Sequence, residues 1–431
     1  MPRINRSSIT SSYARTVVIV APLAVLAVVA GCTLEATNPG PIQADALNAP
    51  SALNAIISGA GRDLAEALNF TAYTGGAATR EIFPGGSTGA FGISVQQQNG
   101  KLTDDDGNVY WNFSQRARWT AEDAVARSKA VVAIAATTAT NSSLAQALVW
   151  AGFANRHLGE NFCEGVINGG ANGTHVVYFE RAEANFTEAI AVATTTNNTT
   201  LAQAASAGRA SVRLLRNNPT GALADAAGIA NTMVYRMPYF QNELDQYNRL
   251  FWASANQPYR AHTVWNTVTE NYRKTTRDPR VPFDSSLTIL VGDAAVGALG
   301  RVRWYFQTKY PTLTSGINLV SGWEMRLIEA EAKLIANDVT GALASINGRR
   351  TALSLAQVTA ANATEAWAAL KRERGIELWL EGRRLGDLRR WASLSRPGAL
   401  DQKEEIPGRD LCFATPLSEK ETNPNFITPK P

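Results

Sequence analysis

The residues with the clearest potential for chemistry lie close together near the C-terminus, at 373–391. These 19 positions hold nine charged side chains and two tryptophans, interrupted by three glycines. On one continuous helix, residues three and four apart share a face, so opposite charges would form a ladder from Arg374 to Arg390. Glu377 and Glu381 are the nearest sequence candidates for the paired carboxylates of a glycan hydrolase. Periodicity alone favours a solvated charged face, whereas the flanking tryptophans favour partial burial. In both cases we expect a structural ladder and not an active site.

No other group of residues forms a catalytic or cofactor motif. The three histidines, His157, His175 and His262, are far apart and lack metal-ligand spacing. The acidic run Asp104–Asn108 has its glycine too early for a calcium loop of the EF-hand type. Dinucleotide, phosphate-loop and nucleophile-elbow patterns are missing from the sequence. We therefore predict that the protein is not an enzyme and binds neither a metal nor a cofactor.

Composition excludes several classes of protein. The chain has 431 residues, of which 45% are apolar and 18% charged, as is typical of globular proteins. Three of its 41 basic residues, and none of its 37 acidic residues, lie in residues 1–31. If that segment is removed, the remaining charge is close to zero. Such a balance gives no electrostatic footprint for nucleic acid.

The N-terminus has the organisation of an export signal. Three arginines precede an apolar run of about 14 residues, Val17–Ala30, which is short for a membrane span but suits a signal peptide. Small residues then precede Cys32, as in the bacterial lipobox. We predict a signal peptide at residues 1–31, a lipid anchor at Cys32 and a tether at residues 32–48. The alternative is an uncleaved anchor with an incidental cysteine.

Two further cysteines, Cys163 and Cys412, remain in the exported part. An oxidising compartment permits them to pair, and their number is even. Their separation in sequence says nothing about their distance in space. We predict a disulfide; two titratable thiols in the unfolded, unreduced protein would contradict it.

Helical periodicity dominates the rest of the chain. It predicts helices at 51–70, 111–136, 141–160, 179–193, 201–215, 220–230, 323–335, 339–349 and 364–391. Short alanine-rich helices in succession favour stacked pairs of the tetratricopeptide kind, although the strict consensus is absent. We predict a mostly α fold in which residues 49–431 form one domain.

Two loop-rich insertions, at about 71–110 and 235–320, interrupt this pattern. Both contain aromatic residues among glycines or polar residues, and loops on a rigid scaffold are where ligand contacts concentrate. An aromatic ring next to an amide or a charged group suits a sugar, because the ring stacks on its C–H face. The candidate ligand-binding residues are Trp252, Tyr259, Trp265, Tyr272 and Trp304. The alternative is that most of these aromatic residues belong to the core, since Trp and Tyr are often largely buried.

The charged C-terminal stretch resembles the signature of the SusD/RagB family. The matching residues are Glu373-Arg374, Glu377-Leu378, Glu381-Gly382, Arg384, Asp387-Leu388 and Arg390-Trp391. Segments at 148–162, 179–190, 204–226, 326–350 and 414–426 are similar to family segments in the same order. The resemblance runs from Cys32 to about Phe426, and it contains no motif that fixes ligand-binding positions.

This resemblance implies a fold and a function. The fold would be a scaffold of tetratricopeptide-like helix pairs carrying a loop-rich, ligand-facing subdomain. The protein would be a non-catalytic lipoprotein anchored to the outer membrane and facing the cell exterior. It would capture an oligomeric nutrient, a glycan or a peptide, and deliver it to a SusC-like TonB-dependent transporter barrel. Two alternatives remain open at this point: a surface lipoprotein glycan hydrolase, and an architectural helical-repeat protein without a small ligand.

Overall fold

The computed structural model describes residues 44–255 and 259–427. The predicted signal peptide, the Cys32 anchor and most of the predicted tether lie outside these ranges. No helix within them combines the length and the apolar character that crossing a membrane requires.

Helices make up most of the structure in these ranges, which confirms the predicted mostly α fold. They are α1 Leu53–Ala78, α2 Val95–Gln98, α3 Asn108–Ile134, α4 Thr138–Asn161, α5 Val176–Thr195, α6 Thr199–Leu215, α7 Pro219–Ala227, α8 Arg249–Ser254, α9 Val268–Thr276, α10 Gly322–Ile335, α11 Val339–Ala352, α12 Ala363–Glu377, α13 Arg384–Ser393 and α14 Leu417–Thr422.

Within the described ranges, four two-stranded antiparallel ribbons join parts of the irregular regions to each other and to the helices. They pair β1 Phe83–Pro84 with β5 His262–Thr263, β2 Glu164–Gly165 with β3 Gly173–Thr174, β4 Val234–Met237 with β8 Ile317–Ser321, and β6 Phe283–Ser285 with β7 Tyr305–Gln307.

The turn between paired helices has the same two-residue arrangement in three places. The first has a positive φ of 56–61°, which asparagine tolerates better than most residues, and is Asn197, Asn217 or Asn337. The second caps the next helix by accepting a backbone N–H from its first turn, and is Asn198, Asn218 or Asp338. Such short connections place successive helices side by side and antiparallel. They build the α5–α6–α7 and α10–α11 layers.

Glycines let these layers approach closely. The Phe186 ring of α5 lies between Gly152 of α4 and Gly208 of α6, where an added Cβ would come within 2.5 Å of the ring. Any larger residue at these two positions would force the helices apart. The small residues of the helical pairs are therefore a packing requirement.

Two predicted boundaries are wrong. The first helix does not end near residue 70 but runs through Gly75 and Gly76 to Ala78, so the first irregular region begins about eight residues later than predicted. The predicted helix at 364–391 is broken at 378–383, where Leu380 and Gly382 have φ values of 59° and 70°. A Cβ on Gly382 would lie 3.1 Å from the Cβ of Ala72 on α1, so the break is also a point of close helix contact.

The break is stabilised by hydrogen bonds from outside it. The carboxylate of Glu81 accepts the Leu380 N–H at 2.8 Å, and the Tyr310 hydroxyl donates to the Leu380 carbonyl at 3.0 Å. Buried backbone groups that leave a helix must find such partners. Glu81, which follows α1, therefore holds the left-handed turn that separates α12 from α13.

The charges around the break do not form the predicted ladder on one face, and the interpretation as a solvated face is wrong. Of the expected neighbours, Asp387 and Arg390 are paired at 2.9 Å. Arg374 reaches across the break to hold Asp387 with two hydrogen bonds of 2.8 and 2.9 Å. Burial alone would raise the pKa of Asp387, but Arg374 and Arg390 lower it below its usual range. These side chains are buried, as the flanking tryptophans suggested.

The other charged side chains of the stretch reach separate elements. Glu377 accepts from Arg280 and Arg349, and Glu381 from Lys309 and Asn318. Arg383 binds Glu160 of α4 and Glu324 of α10, Arg384 binds Glu404, and Arg390 binds Glu331 of α10. We call this set the buried charge network. Because it ties α4, α10, α12 and α13 together, its role is to fix their relative positions.

A disulfide joins Cys163, just after α4, to Cys412 in the closing segment, with the two Cα atoms 5.1 Å apart. The adjoining backbone is paired as well: the Phe413 N–H donates to the Asn161 carbonyl, and the Cys163 N–H to the Phe413 carbonyl. The C-terminal segment is thereby attached to the end of α4.

Candidate functional site

The β1–β5 ribbon positions the residues that we assign to the site. Phe83 is opposite Thr263 and Pro84 opposite His262. His262 is fully buried, and its Nδ1 lies 2.6 Å from the Tyr73 hydroxyl of α1. The ribbon is therefore fixed to the helical scaffold, and side chains next to it are held in place before any ligand arrives.

Trp265 and Asn266, an indole and an amide, follow each other in sequence just after β5. The ring of Trp265 is half-buried and packs edge-to-face on Phe83, with centroids 5.5 Å apart. Asn266 has a φ of 59°, and its backbone N–H donates to Glu270 at 2.6 Å. Its side-chain amide has no hydrogen-bond partner among residues 44–255 and 259–427. A ring with a free amide beside it can stack on a sugar and bind its hydroxyl groups.

Arg80 also contacts Phe83. Its guanidinium lies 5.2 Å from the centre of the Phe83 ring, in a cation–π contact. Within the described part of the chain it has neither an acceptor nor an ion pair. Burial lowers the pKa of Arg80 from its ordinary value, which is the effect expected of a shielded cation without a counter-charge.

Arg80 also lines a cleft of about 170 Å³ between the end of α1, α9 and α12. We call it the arginine cleft; its lining includes Arg80, Glu81, Tyr272, Arg372, Arg384 and Glu404. Arg384 is already paired with Glu404, to which its Nη2 donates at 2.6 Å. Arg372 is exposed, and no described residue forms a hydrogen bond or ion pair with its side chain.

Glu81 makes the region of the cleft sensitive to pH. Burial raises the pKa of its carboxyl group from 4.5 to about 7. The folded state therefore keeps a proton between pH 4.5 and 7 that the unfolded state loses, so the contribution of this group to stability falls as the pH rises through that window. Glutamine would keep the acceptor for Leu380 without the charge.

We accordingly expect Glu81→Gln to melt at a higher temperature than the wild type at pH 8 and at about the same temperature at pH 4.5. Melting temperatures measured by calorimetry from pH 4.5 to 8 check this. A difference between the two proteins that stays constant over this range would contradict the assignment.

The five candidate aromatics separate into different environments. Trp252 and Tyr259 come together with Phe91, at centroid distances of 5.4–6.0 Å, and Tyr259 remains 41% exposed. Tyr272 lines the arginine cleft while its hydroxyl donates to Asp278 at 2.8 Å. These three, with Trp265, remain candidates.

Trp304 does not remain a candidate for ligand binding. It is 1% exposed, and its Nε1 donates to the Ser254 carbonyl at 3.2 Å. A ring without exposed surface cannot stack on a ligand, so the prediction of direct contact is wrong. Arg273, next to Tyr272 on α9, donates to the carbonyls of Arg277 and Asp278 at the end of that helix.

Arg80 and Phe83 were not among the residues predicted from the sequence. A second cleft was not predicted either. This cleft, about 300 Å³, runs along α1 and is lined by Trp150, Tyr239 and Phe240 together with Arg62 and Asp245. The two charges face each other as an ion pair. Phe240 is 51% exposed, but the polar groups at the rim already bind each other, which leaves a largely apolar cavity.

Comparisons with known proteins agree with this architecture. The model of the SusD family matches residues 323–429, which include the whole buried stretch at 373–391. No curated protein matches the chain in sequence.

Solved structures resemble most of the chain at low identity. A SusD superfamily protein from Bacteroides thetaiotaomicron has 14% identity and a TM-score of 0.65, over 88% of this chain and 98% of its own. A SusD-like carbohydrate binding protein from Bacteroides vulgatus has 13% identity and a TM-score of 0.60, over 88% and 97%. A laminarin binding SusD-like protein has 15% identity and a TM-score of 0.55, over 88% and 98%. These likenesses establish the fold.

Proposed function

We propose that the chain is a member of the SusD/RagB family and acts as a non-catalytic surface lipoprotein that captures an oligomeric glycan. It would deliver this cargo to a SusC-like TonB-dependent transporter in the outer membrane. Support comes from the family match at 323–429 and from structural relatives described as binding carbohydrate or laminarin. The lipobox-like sequence at Cys32 supports anchoring of the exported chain, with residues 32–48 as the tether.

One observation carries the binding part of the proposal: Trp265 and Asn266, whose side-chain amide has no partner among the described residues, come just after β5 of a ribbon fixed to the scaffold. Stacking on an indole with hydrogen bonds at the ring edge is a suitable way to hold a sugar. Tyr259 precedes the same strand by three residues and offers a second exposed ring. Trp265 is six positions after Tyr259, a distance of at most about 20 Å along extended chain. Contacts at both ends would suit an oligomer better than a single sugar.

The hydrolase alternative is weakened by the positions of its candidate acids. Glu377 and Glu381 both belong to the buried charge network, where arginine and lysine side chains bind them. A carboxylate held in this way is a poor general acid or base, because its charge is already neutralised by fixed partners. The comparisons indicate no family of enzymes.

Two measurements test the function. The lipidated chain is isolated from its own membranes in mild detergent and its partners are identified by mass spectrometry; the Cys32→Ser variant is the control. The same preparation is screened against glycan oligomers for binding and for hydrolysis. We expect a TonB-dependent barrel to co-purify and a glycan to bind without cleavage. If no transporter co-purifies and no glycan binds, the architectural alternative is favoured. Cleavage of a glycan would favour the hydrolase.

A further inference from the structure

We propose that the cargo is an acidic glycan, whose carboxylate or sulfate groups bind Arg80 and Arg372 in the arginine cleft. This inference rests on the proposed function, because it names the class of ligand for the same site. It is carried by the charges of the cleft and their partners.

Arg80 lacks the acceptor that a shielded guanidinium needs. Its side chain is partly buried against Phe83, and neither a carboxylate nor a carbonyl oxygen within the described ranges accepts from it. Holding a cation away from water without a partner is unfavourable. A ligand anion would supply the missing acceptor, and a guanidinium can bind a carboxylate or a sulfate through two parallel hydrogen bonds.

The charges of the whole cleft favour an anion. Its lining contains four cationic side chains, Arg80, Lys371, Arg372 and Arg384, and three carboxyl groups, Glu81, Asp401 and Glu404. Arg384 neutralises Glu404, and Glu81 is partly protonated near neutral pH because its pKa is about 7. Lys371 donates to the carbonyls of Arg396 and Gly398 and forms no ion pair with a carboxylate of the described residues.

A fifth cation, Arg409, adds to the positive charge near the cleft. Arg409 donates to the carbonyls of Ala78 and Glu404, and its pKa is lowered to about 10, chiefly by burial and also by the neighbouring charges of Arg384 and Arg80. The cleft is thus surrounded by more positive than negative charge. That excess raises the local concentration of anionic ligands.

The position of Arg80 connects this charge to the sugar-stacking surface. Phe83 contacts both, with its ring centre 5.5 Å from that of Trp265 and 5.2 Å from the Arg80 guanidinium. A glycan stacked on Trp265 would therefore bring an adjacent acidic unit to Arg80. Arg372, on the exposed side of α12, would bind the same or the next unit.

The test compares acidic oligosaccharides with matched neutral ones by isothermal titration calorimetry on the full chain. The acidic set contains oligogalacturonates, oligomannuronates and chondroitin sulfate oligosaccharides. The neutral set contains the methyl esters of the two uronates and laminarin oligosaccharides. We expect an acidic ligand to bind at least about tenfold more tightly than its neutral counterpart, with an affinity that falls as salt is added.

Variants assign the effect to the cleft. We expect Arg80→Gln and Arg372→Gln each to weaken acidic binding about tenfold or more, and Arg80→Lys to retain part of it. Arg216→Gln, which alters an arginine at the end of α6, is the control and should bind as the wild type does. Melting temperatures confirm that each variant is folded. If Arg80→Gln does not fold, the salt dependence of the wild type and the Arg372→Gln variant decide the result.

The outcomes separate this inference from the proposed function. Tight binding of neutral glycans with no preference for acidic ones would overturn the inference and leave the proposed function standing. Acidic binding that is unchanged in the Arg80→Gln/Arg372→Gln double variant would also overturn it. Failure of every glycan to bind would contradict both.

Discussion

Replacing Arg383 with methionine is expected to lower the free energy of unfolding by about 3–5 kcal/mol, because it leaves the buried carboxylate of Glu324 without its cation and removes one of the two cations that pair with Glu160. Arg383 is 3% exposed and donates to Glu160 at 2.9 Å, to Glu324 at 2.8 Å and to Ser211 at 2.8 Å. It is thus the connection between α4, α6 and α10. Methionine fills much of the same volume, so the loss reports the charge and its hydrogen bonds more than a cavity.

Urea unfolding followed by circular dichroism measures this change, and Arg216→Met is the matched control. Arg216 pairs with Glu180 and Glu183 near the surface, where such pairs contribute about 0–1 kcal/mol. Equal losses in the two variants would contradict the interpretation of the buried charge network as the joint between helices.

The second large effect concerns binding. Trp265→Ala is expected to weaken glycan affinity about 30-fold, equivalent to about 2 kcal/mol, because it removes the ring on which we place the sugar. The variant should stay folded, since the ring is only half-buried and its described aromatic contact is with Phe83 alone. Titration calorimetry with the tightest ligand of the screen gives the affinity.

Trp119→Ala provides the comparison, because Trp119 lies on α3 and is 55% exposed but is not part of the proposed site. It should leave affinity unchanged. Tyr259→Ala then shows whether the far end of the ribbon also contacts the glycan. A loss of affinity in Trp119→Ala without one in Trp265→Ala would place the sugar elsewhere.

The helical scaffold was accessible from the sequence because its determinants are local. Asparagine pairs end one helix and cap the next at Asn197-Asn198 and at Asn217-Asn218, and Asn337-Asp338 does the same. This repeated device is visible in the sequence and could have located three of the turns to the residue. Alanine and glycine on the facing sides indicated close packing, and Phe186 between two glycines is an instance of it.

The charged stretch at 373–391 could be identified from the sequence, but the positions and partners of its side chains could not. A ladder between neighbours three or four apart presumes a continuous helix, and the turn at Leu380 depends on a hydrogen bond that its N–H donates to Glu81, almost 300 residues earlier. Arg383 binds Glu160 and Glu324, which precede it by 223 and 59 residues, and Arg384 binds Glu404, which follows it by 20. Periodicity contains no information about such contacts.

The site was predictable as a region but not by residue. Aromatic rings in the irregular parts have the same local sequence character whether they face the ligand or the core, so Trp304 was indistinguishable from Trp265. Their difference comes from the pairing of β1 with β5 across 180 residues. Arg80 was missed because its significance is the absence of a partner in the described structure, a property that no sequence pattern records.

The most direct test is a crystal structure of the complete chain with the tightest oligosaccharide from the screen. Our account predicts electron density for a sugar stacked on Trp265 and bonded to Asn266, with its acidic group against Arg80 in the arginine cleft. Density in the apolar cleft along α1, between Trp150 and Phe240, with the Trp265 surface empty, would contradict the account.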